Sequence, residues 1–196
     1  MPSKPMLTEA DREALRERLS GLCEERWIER GYKKTSIKEL CEGAGMSVGT
    51  FYTLYPTKED LFCETIAGIQ EELEARFLDT IAKNPTKEGF AQAMKDIFRE
   101  YASKPFLYNV GTADFQSFAS KLPADTLEKI SFDSFEFFGR AVDVAGLALK
   151  VAPEQAYGTL SALLSIISAK NTLSLTCNYL AVFDYMTDVL VSGIFE

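Results

Sequence analysis

The sequence predicts an all-α protein in two parts: a three-helix N-terminal domain with a helix-turn-helix, and a larger C-terminal helical bundle. Three observations predict it. Apolar residues recur at three- and four-residue spacing along most of the 196-residue chain, the period of a helix with one buried face. The breaks between these stretches fall at Gly, Pro and hydroxyl-bearing residues, which stop and start helices. No segment alternates apolar and polar residues as a half-buried strand does.

Leu15, Leu19, Leu22, Cys23 and Trp27 mark one face of a helix over 8–30. Thr8 with Asp11 caps its start, and Gly31 can end it in a left-handed turn. Ser36-Ile37-Lys38-Glu39 is a capping-box pattern, in which the hydroxyl satisfies one free backbone amide and the carboxylate another. It opens a short helix through Leu40 and Cys41 that ends at 43–45. Ser47 caps a second short helix over 48–54. Pro56 cannot continue it, and Thr57 with Asp60 caps the next, over 58–83. Asn84-Pro85 breaks the chain again. The stripe Phe90, Met94, Ile97, Phe98 and Tyr101 predicts a helix over 86–103, stopped by Pro105. The segment 106–121 is shorter and rich in Gly, Ser and Thr. Pro123 and Pro153 stand at the starts of helices reaching about Lys150 and Lys170, and a last helix runs from about Leu173 to Ile194. The domains expected are 8–67 and 68–196.

The composition, 46% hydrophobic and 26% charged, is that of a globular chain with a real core. The first thirty residues are dense in charge and lack an apolar h-region, and no window holds 18 uncharged apolar residues, so a soluble cytoplasmic protein without membrane contact is expected. Cys23, Cys41, Cys63 and Cys177 lie far apart, with no CxxC and no histidine. Neither metal nor cofactor is therefore expected, and the cysteines read as small buried apolar groups. Lack of histidine also removes the commonest general base, which disfavours an enzyme. The net charge of −8, with ten basic against twelve acidic residues in the first 65, gives no bulk attraction for a polyanion. Nucleic-acid binding would have to rest on placement.

Placement is what 36–55 offers. Two short helices joined by a glycine turn can set the second in a DNA major groove while the first braces it. The second helix opens on small residues, Ser47, Val48, Gly49 and Thr50, which allow close approach to phosphates. Tyr52 and Thr53 bring hydroxyls that reach phosphate or base edges, and Lys33, Lys34, Lys38 and Lys58 supply cations around the motif. The run from Gly31 to Leu61 resembles the DNA-binding domain of the TetR (tetracycline-repressor-like) family of transcriptional regulators. The matching residues are Gly31, Tyr32, Thr35, Ser36, Ile37, Ala44, Gly45, Met46, Ser47, Gly49, Thr50, Phe51, Tyr52, Lys58, Glu59 and Leu61. The resemblance covers about residues 10–67. It implies a repressor of operator DNA relieved by a ligand, with Thr35, Lys38, Thr50, Tyr52 and Lys58 at phosphates, Ser47, Val48, Gly49 and Thr53 facing the groove, and Lys34 and Ser36 as further DNA-binding residues. Val48 stands where such proteins often carry Lys, Arg or Pro, so readout there would be apolar, as with a thymine methyl. Leu54 and Tyr55 replace the usual His/Tyr-Phe pair. The opposing reading is a helical adaptor or enzyme whose helix-turn-helix binds nothing, and the acidic N-terminal third is its best support.

Nine of the 14 Phe residues fall between Phe90 and Phe138. They are either plain core or, as the resemblance implies, the walls of a cavity for a small apolar or aromatic effector. The cavity candidates are Phe98, Tyr101, Phe115, Phe118, Phe135 and Phe138, beside Phe132, with Asn109, Asp114 and Gln116 as orienting groups. The last two helices are apolar on broad faces. Leu160, Leu164, Ile167, Phe183, Met186 and Leu190 are candidates for a homodimer interface, which the resemblance implies, or for core within one chain.

Overall fold

The computed structural model describes residues 7–108, 110–123, 126 and 134–196. The fold is all-α, with an N-terminal helix-turn-helix domain and a larger C-terminal helical bundle. Among the described residues the only β pairing is one isolated antiparallel bridge, Leu149 to Phe195. The chain divides into two compact units, Met1–Ile69 with Val110–Ile130, and Gln70–Asn109 with Ser131–Glu196.

The first unit is built on helix α1 (Glu9–Arg30), α2 (Ile37–Ala44), α3 (Val48–Leu54) and the start of α4 (Lys58–Lys83). Each boundary has a local cause. Thr8 and Asp11 form a reciprocal capping box, and Gly31 ends α1 at φ +82°, a conformation costly for any residue with a Cβ. Its core is Leu19, Cys23 and Trp27 from α1, Leu40 and Cys41 from α2, Phe51 from α3, and Leu61 and Phe62 from α4, all buried. Trp27 lies 4.5 Å from Phe62 between ring centroids. Burying each such aromatic or aliphatic side chain contributes about 1.5–3 kcal/mol. The segment 110–123, which a boundary at 67/68 would put in the second domain, groups here through α6 (Ala113–Ala119). Its Phe118 is fully buried against Trp27 (5.2 Å) and Tyr32 (5.5 Å).

The second unit holds the rest of α4 with α5 (Lys87–Ser103), α7 (Ser134–Ala145), α8 (Pro153–Leu164), α9 (Lys170–Leu173) and α10 (Tyr179–Ile194). One core joins Phe77, Phe90, Phe137, Phe138, Leu160 and Phe195. A second holds Phe98, Leu163, Ile167 and Phe183, with Phe98 and Phe183 stacked at 3.5 Å between centroids and 9° between planes. Lys95–Asp188 (2.5 Å) and Arg99–Asp184 (2.6 Å) tie α5 to α10.

The early helices follow the sequence reading within a residue, and the later ones are shorter. The helix expected to reach Lys150 ends at Ala145, because Gly146 turns left-handed at φ +61°. The chain beyond it pairs with the C-terminus instead, Lys150 N–H donating to the Ile194 carbonyl at 2.8 Å and Glu196 N–H to that of Ala148 at 2.9 Å. Of its start, 124, 125 and 127–133, including Phe132, lie outside the described residues, as does Asn109. The helix expected to reach Lys170 tightens to a 3-10 form over Ser165–Ala169, where the Ser165 hydroxyl donates to the Ala162 carbonyl at 2.6 Å and competes with the backbone. The last helix begins at Tyr179 because Asn178 accepts the Leu180 and Ala181 amides.

Two glycines give opposite expectations. A Cβ on Gly89 would lie 1.9 Å from the Asn84 carbonyl oxygen, whereas one on Gly68, inside α4, meets nothing within 4 Å. In urea denaturation Gly89→Ala should cost about 1–3 kcal/mol through overpacking, and Gly68→Ala should stabilise by about 0.5–1 kcal/mol.

Candidate nucleic-acid interface and cavity

Helices α2 and α3 are fixed to each other by caps rather than by length. Ser36 and Glu39 exchange backbone and side-chain hydrogen bonds at 3.2 Å. Gly45 turns left-handed at φ +69°, and the Ser47 hydroxyl accepts the Thr50 amide at 3.1 Å to open α3. Only Phe51 and Leu54 of α3 are buried. That leaves Ser47, Val48, Gly49, Tyr52 and Thr53 exposed, with Val48 at 40% and Tyr52 at 54%. Thr50 is half-buried with its hydroxyl 2.9 Å from that of Ser47, and the Thr53 hydroxyl donates to the Thr50 carbonyl at 2.6 Å.

Two arginines of α1 secure the far ends of the pair. Arg18 donates to the Ala44 carbonyl (3.1 Å) and Arg16 to that of Leu54 (3.1 Å), carbonyls that helix ends leave unsatisfied. Arg16 also pairs with Glu64 at 2.7 Å and lies 4.8 Å from the centre of the Tyr55 ring. Tyr55 is buried and donates to Glu64 at 2.5 Å, so the unusual Leu54-Tyr55 pair closes the turn into α4.

The structure separates the expected DNA-binding residues around α3 into two sets. Lys34, Ser36 and Lys38 are exposed, Lys38 standing 3.8 Å from Glu42. Thr35 is buried at 2% exposure, its hydroxyl donating to the Gly31 carbonyl at 2.9 Å, so its side chain braces the turn instead of facing outward. Lys58 also turns inward. Its ammonium donates to the Tyr32 carbonyl at 2.6 Å and sits 3.9 Å from the centre of the Tyr32 ring. Burial lowers its pKa, with the Glu59 carboxylate opposing the shift.

Sequence reading missed the groups that hold Tyr32. Asp114 accepts the Tyr32 and Lys33 amides at 2.7 and 3.0 Å, and a Cβ on Gly31 would meet that carboxylate at 2.7 Å. Glycine is thus required at 31 by both conformation and space. The Tyr32 hydroxyl donates to Glu59, and Lys121 donates to the same hydroxyl at 2.8 Å while pairing with Glu59 at 3.3 Å. Burial and the Glu59 carboxylate push the Tyr32 phenol pKa up, keeping it a donor. Gln116, the other described orienting candidate, donates to the Val110 carbonyl at 2.7 Å.

The second unit contains a cavity of about 480 Å³. Of the six pocket candidates, Tyr101 and Phe138 line it. The other four candidates do not: Phe98 is stacked on Phe183, Phe115 and Phe118 belong to the first unit, and Phe135 is 42% exposed. Phe77, Phe90, Met94, Phe137 and Tyr157 form most of the remaining wall. Leu160, Leu164 and Ile167, candidates for a dimer interface, also face this cavity, and Phe183 is core within the unit. Of that set Leu190 is half-buried and Met186 is exposed, beside Tyr185 at 71% and Val189 at 52%.

Among the described residues no cluster of His, Cys, Asp and Glu could hold a metal, and no helix is long and apolar enough to cross a membrane. Cys23 and Cys41 are buried, Cys63 is half-buried and Cys177 is exposed. Burial pushes the Cys23 thiol up to about 12 and that of Cys63 up to about 11.

A capped two-helix unit presenting small and hydroxylic residues, braced by a third helix, defines a helix-turn-helix protein. Residues 24–65 match the family profile described as "Bacterial regulatory proteins, tetR family". The HTH-type transcriptional repressor KstR2 of Mycobacterium tuberculosis is 26% identical over 86 residues, 42% of this chain and 43% of its own length. The chain thus spans less than half the length of the curated relative it matches. A TetR-family regulator of Mesorhizobium loti has the same fold at TM-score 0.65 and 16% identity, over 95% of this chain and 96% of its own. FadR of Bacillus subtilis, solved with stearoyl-CoA, does so at 0.60 and 15%, over 91% and 98%. Residues 24–65 are thus similar to the DNA-binding segment of tetR-family regulators, and the chain shares its fold with solved members of that family.

Two outcomes are expected. Asp114→Ala strips two backbone amides of their acceptor and should lower stability in urea by about 1–3 kcal/mol. With a disulfide reagent at pH 8, Cys177 should react promptly, while Cys23 and Cys41 should need denaturant, because the thiolate is the reactive form.

Proposed function

We propose that this protein is a ligand-relieved repressor that binds a palindromic operator in double-stranded DNA as a homodimer in the cytoplasm. The observation that carries the reading is the exposure of Ser47, Val48, Gly49, Tyr52 and Thr53 on one capped, seven-residue helix, inside the segment matching the family profile. Ser47, Val48, Gly49 and Thr53 face the major groove, with Val48 offering apolar contact to a thymine methyl. Lys34, Ser36, Lys38, Thr50 and Tyr52 face phosphates, while Thr35 and Lys58 support the frame from inside.

Residues 8–67 are the DNA-binding part, joined by 110–123, and the remaining chain binds ligand and dimerises. Stearoyl-CoA in Bacillus subtilis FadR supports assigning a small-molecule effector to the cavity. Helix α4 begins at Lys58 and carries Gln70 and Phe77 of the cavity wall. An occupant preferring one position of this helix shifts the population between binding-competent and incompetent forms. The dimer contact falls on the exposed face of α10 at Tyr185, Met186 and Val189, because a twofold operator requires two recognition helices.

Selection from random duplexes followed by titration at several salt concentrations tests this reading. It expects enrichment of a palindrome. Lys38→Ala should reduce the slope of log K against log salt by about one. Tyr52→Phe should weaken all duplexes by about tenfold without altering that slope, because it removes a hydrogen bond to a charged group and no cation. Failure to obtain any saturable, salt-sensitive complex would overturn the proposal.

A further inference from the structure

We propose that the cavity of the second unit takes an uncharged, largely apolar molecule whose hydroxyl or carbonyl group hydrogen-bonds to Tyr108. The inference rests on the reading of this cavity as the ligand site, and specifies what that ligand is.

The cavity wall is mostly hydrocarbon and phenyl ring, from Phe77, Phe90, Met94, Phe137, Phe138 and Leu160. Its polar groups are neutral: Gln70, Tyr and Ser side chains, with no charged side chain among the described lining residues. A carboxylate or phosphate entering here would shed its water without gaining a cation, and burial of an unpaired charge is strongly unfavourable. Lys170 lies 5.7 Å from the centre of the Tyr108 ring, but its ammonium donates to the Ala102 carbonyl at 2.8 Å. Burial alone pushes the Tyr101 phenol pKa up, as expected of a wall that disfavours charge.

Two points in this wall call for a neutral polar partner. Tyr108 lines the cavity, and its hydroxyl is buried with no hydrogen-bond partner among the described residues. A phenol can both donate and accept, so a ligand hydroxyl or carbonyl satisfies it. An unpaired buried hydroxyl is costly, and pairing it favours occupancy. At the second point, Ser134 Oγ and Tyr157 Oη stand 2.7 Å apart. These hydroxyls carry two protons and share one bond, so one proton remains for an acceptor. The arrangement suits a phenol, alcohol or ketone on an apolar body, and accommodates a second neutral polar group. The cavity volume falls within the roughly 300–1,000 Å³ of small-molecule sites.

The test is calorimetric titration of the full chain with 4-butylphenol, butylbenzene and 4-butylbenzoate, which share a body and differ in the polar group. The phenol should bind about 3- to 10-fold tighter than butylbenzene, the worth of one neutral hydrogen bond, and at least tenfold tighter than the benzoate. Tyr108→Phe should bring the phenol down to the affinity of butylbenzene. Ligand-free Tyr108→Phe protein should melt at the same or a higher temperature, since it loses an unsatisfied hydroxyl. A lower melting temperature would show that the hydroxyl has a structural partner and would overturn the inference. Benzoate binding as tightly as the phenol would overturn the ligand class while leaving the cavity a ligand site. Binding of none of the three would overturn both.

Discussion

A helix of seven residues cannot hold its shape alone, since isolated helices shorter than about 12–15 residues are marginal in water. Everything proposed for α3 depends on how that difficulty is met. Ser47 caps its first turn, Arg16 takes up the Leu54 carbonyl at its last, and Phe51 and Leu54 anchor its inner side. With both ends and the inner side fixed, the outer residues are released from structural duty. They can be small, as at Ser47 and Gly49, or exposed despite being large, as at Val48 and Tyr52.

The same economy of short elements explains why three cations near this helix are engaged by backbone carbonyls. Arg16, Arg18 and Lys58 terminate helices or join turns by donating to carbonyl oxygens. Lys33, Lys34 and Lys38 stay exposed, but with ten basic and twelve acidic residues in the first 65 the segment has no excess of positive charge. If it binds DNA as proposed, such a surface relies on fit and hydrogen bonding more than on long-range attraction. That favours discrimination between sequences over tight nonspecific binding, because nonspecific affinity comes from phosphate neutralisation.

Features set by neighbouring residues were legible in the sequence. The capping box at Ser36 and Glu39, the left-handed Gly31, the glycine turn at 43–45, and the limits of α3 and α4 all follow from contacts a few residues apart. Distant contacts were not. Asp114 meets Tyr32 across 82 positions, and nothing in the local sequence around either announces it. For the same reason α6 joins the first unit against a boundary drawn from spacing. Within the α5 stripe, Ile97 and Phe98 look equivalent, yet Ile97 lines the cavity and Phe98 stacks on Phe183. A stripe locates the buried side of a helix but cannot say which neighbour each residue meets. Thr35 and Lys58 matched family positions for phosphate contact, but pattern says nothing about the rotamer that turns them inward.

The cavity shows how a phenylalanine-rich bundle can be both core and container. Leu160, Leu164 and Ile167 look like interface residues in the sequence because 153–170 is apolar on a broad face, and that breadth reflects an internal space to be lined. The apolar side left outward on α10 is narrower, at Tyr185, Met186 and Val189. The most direct test of the account is amide hydrogen exchange of the full chain, free and with a selected operator duplex. Slowed exchange concentrated over 34–38 and 47–53 is expected on DNA binding. Unchanged exchange there, with protection elsewhere on the chain, would contradict it.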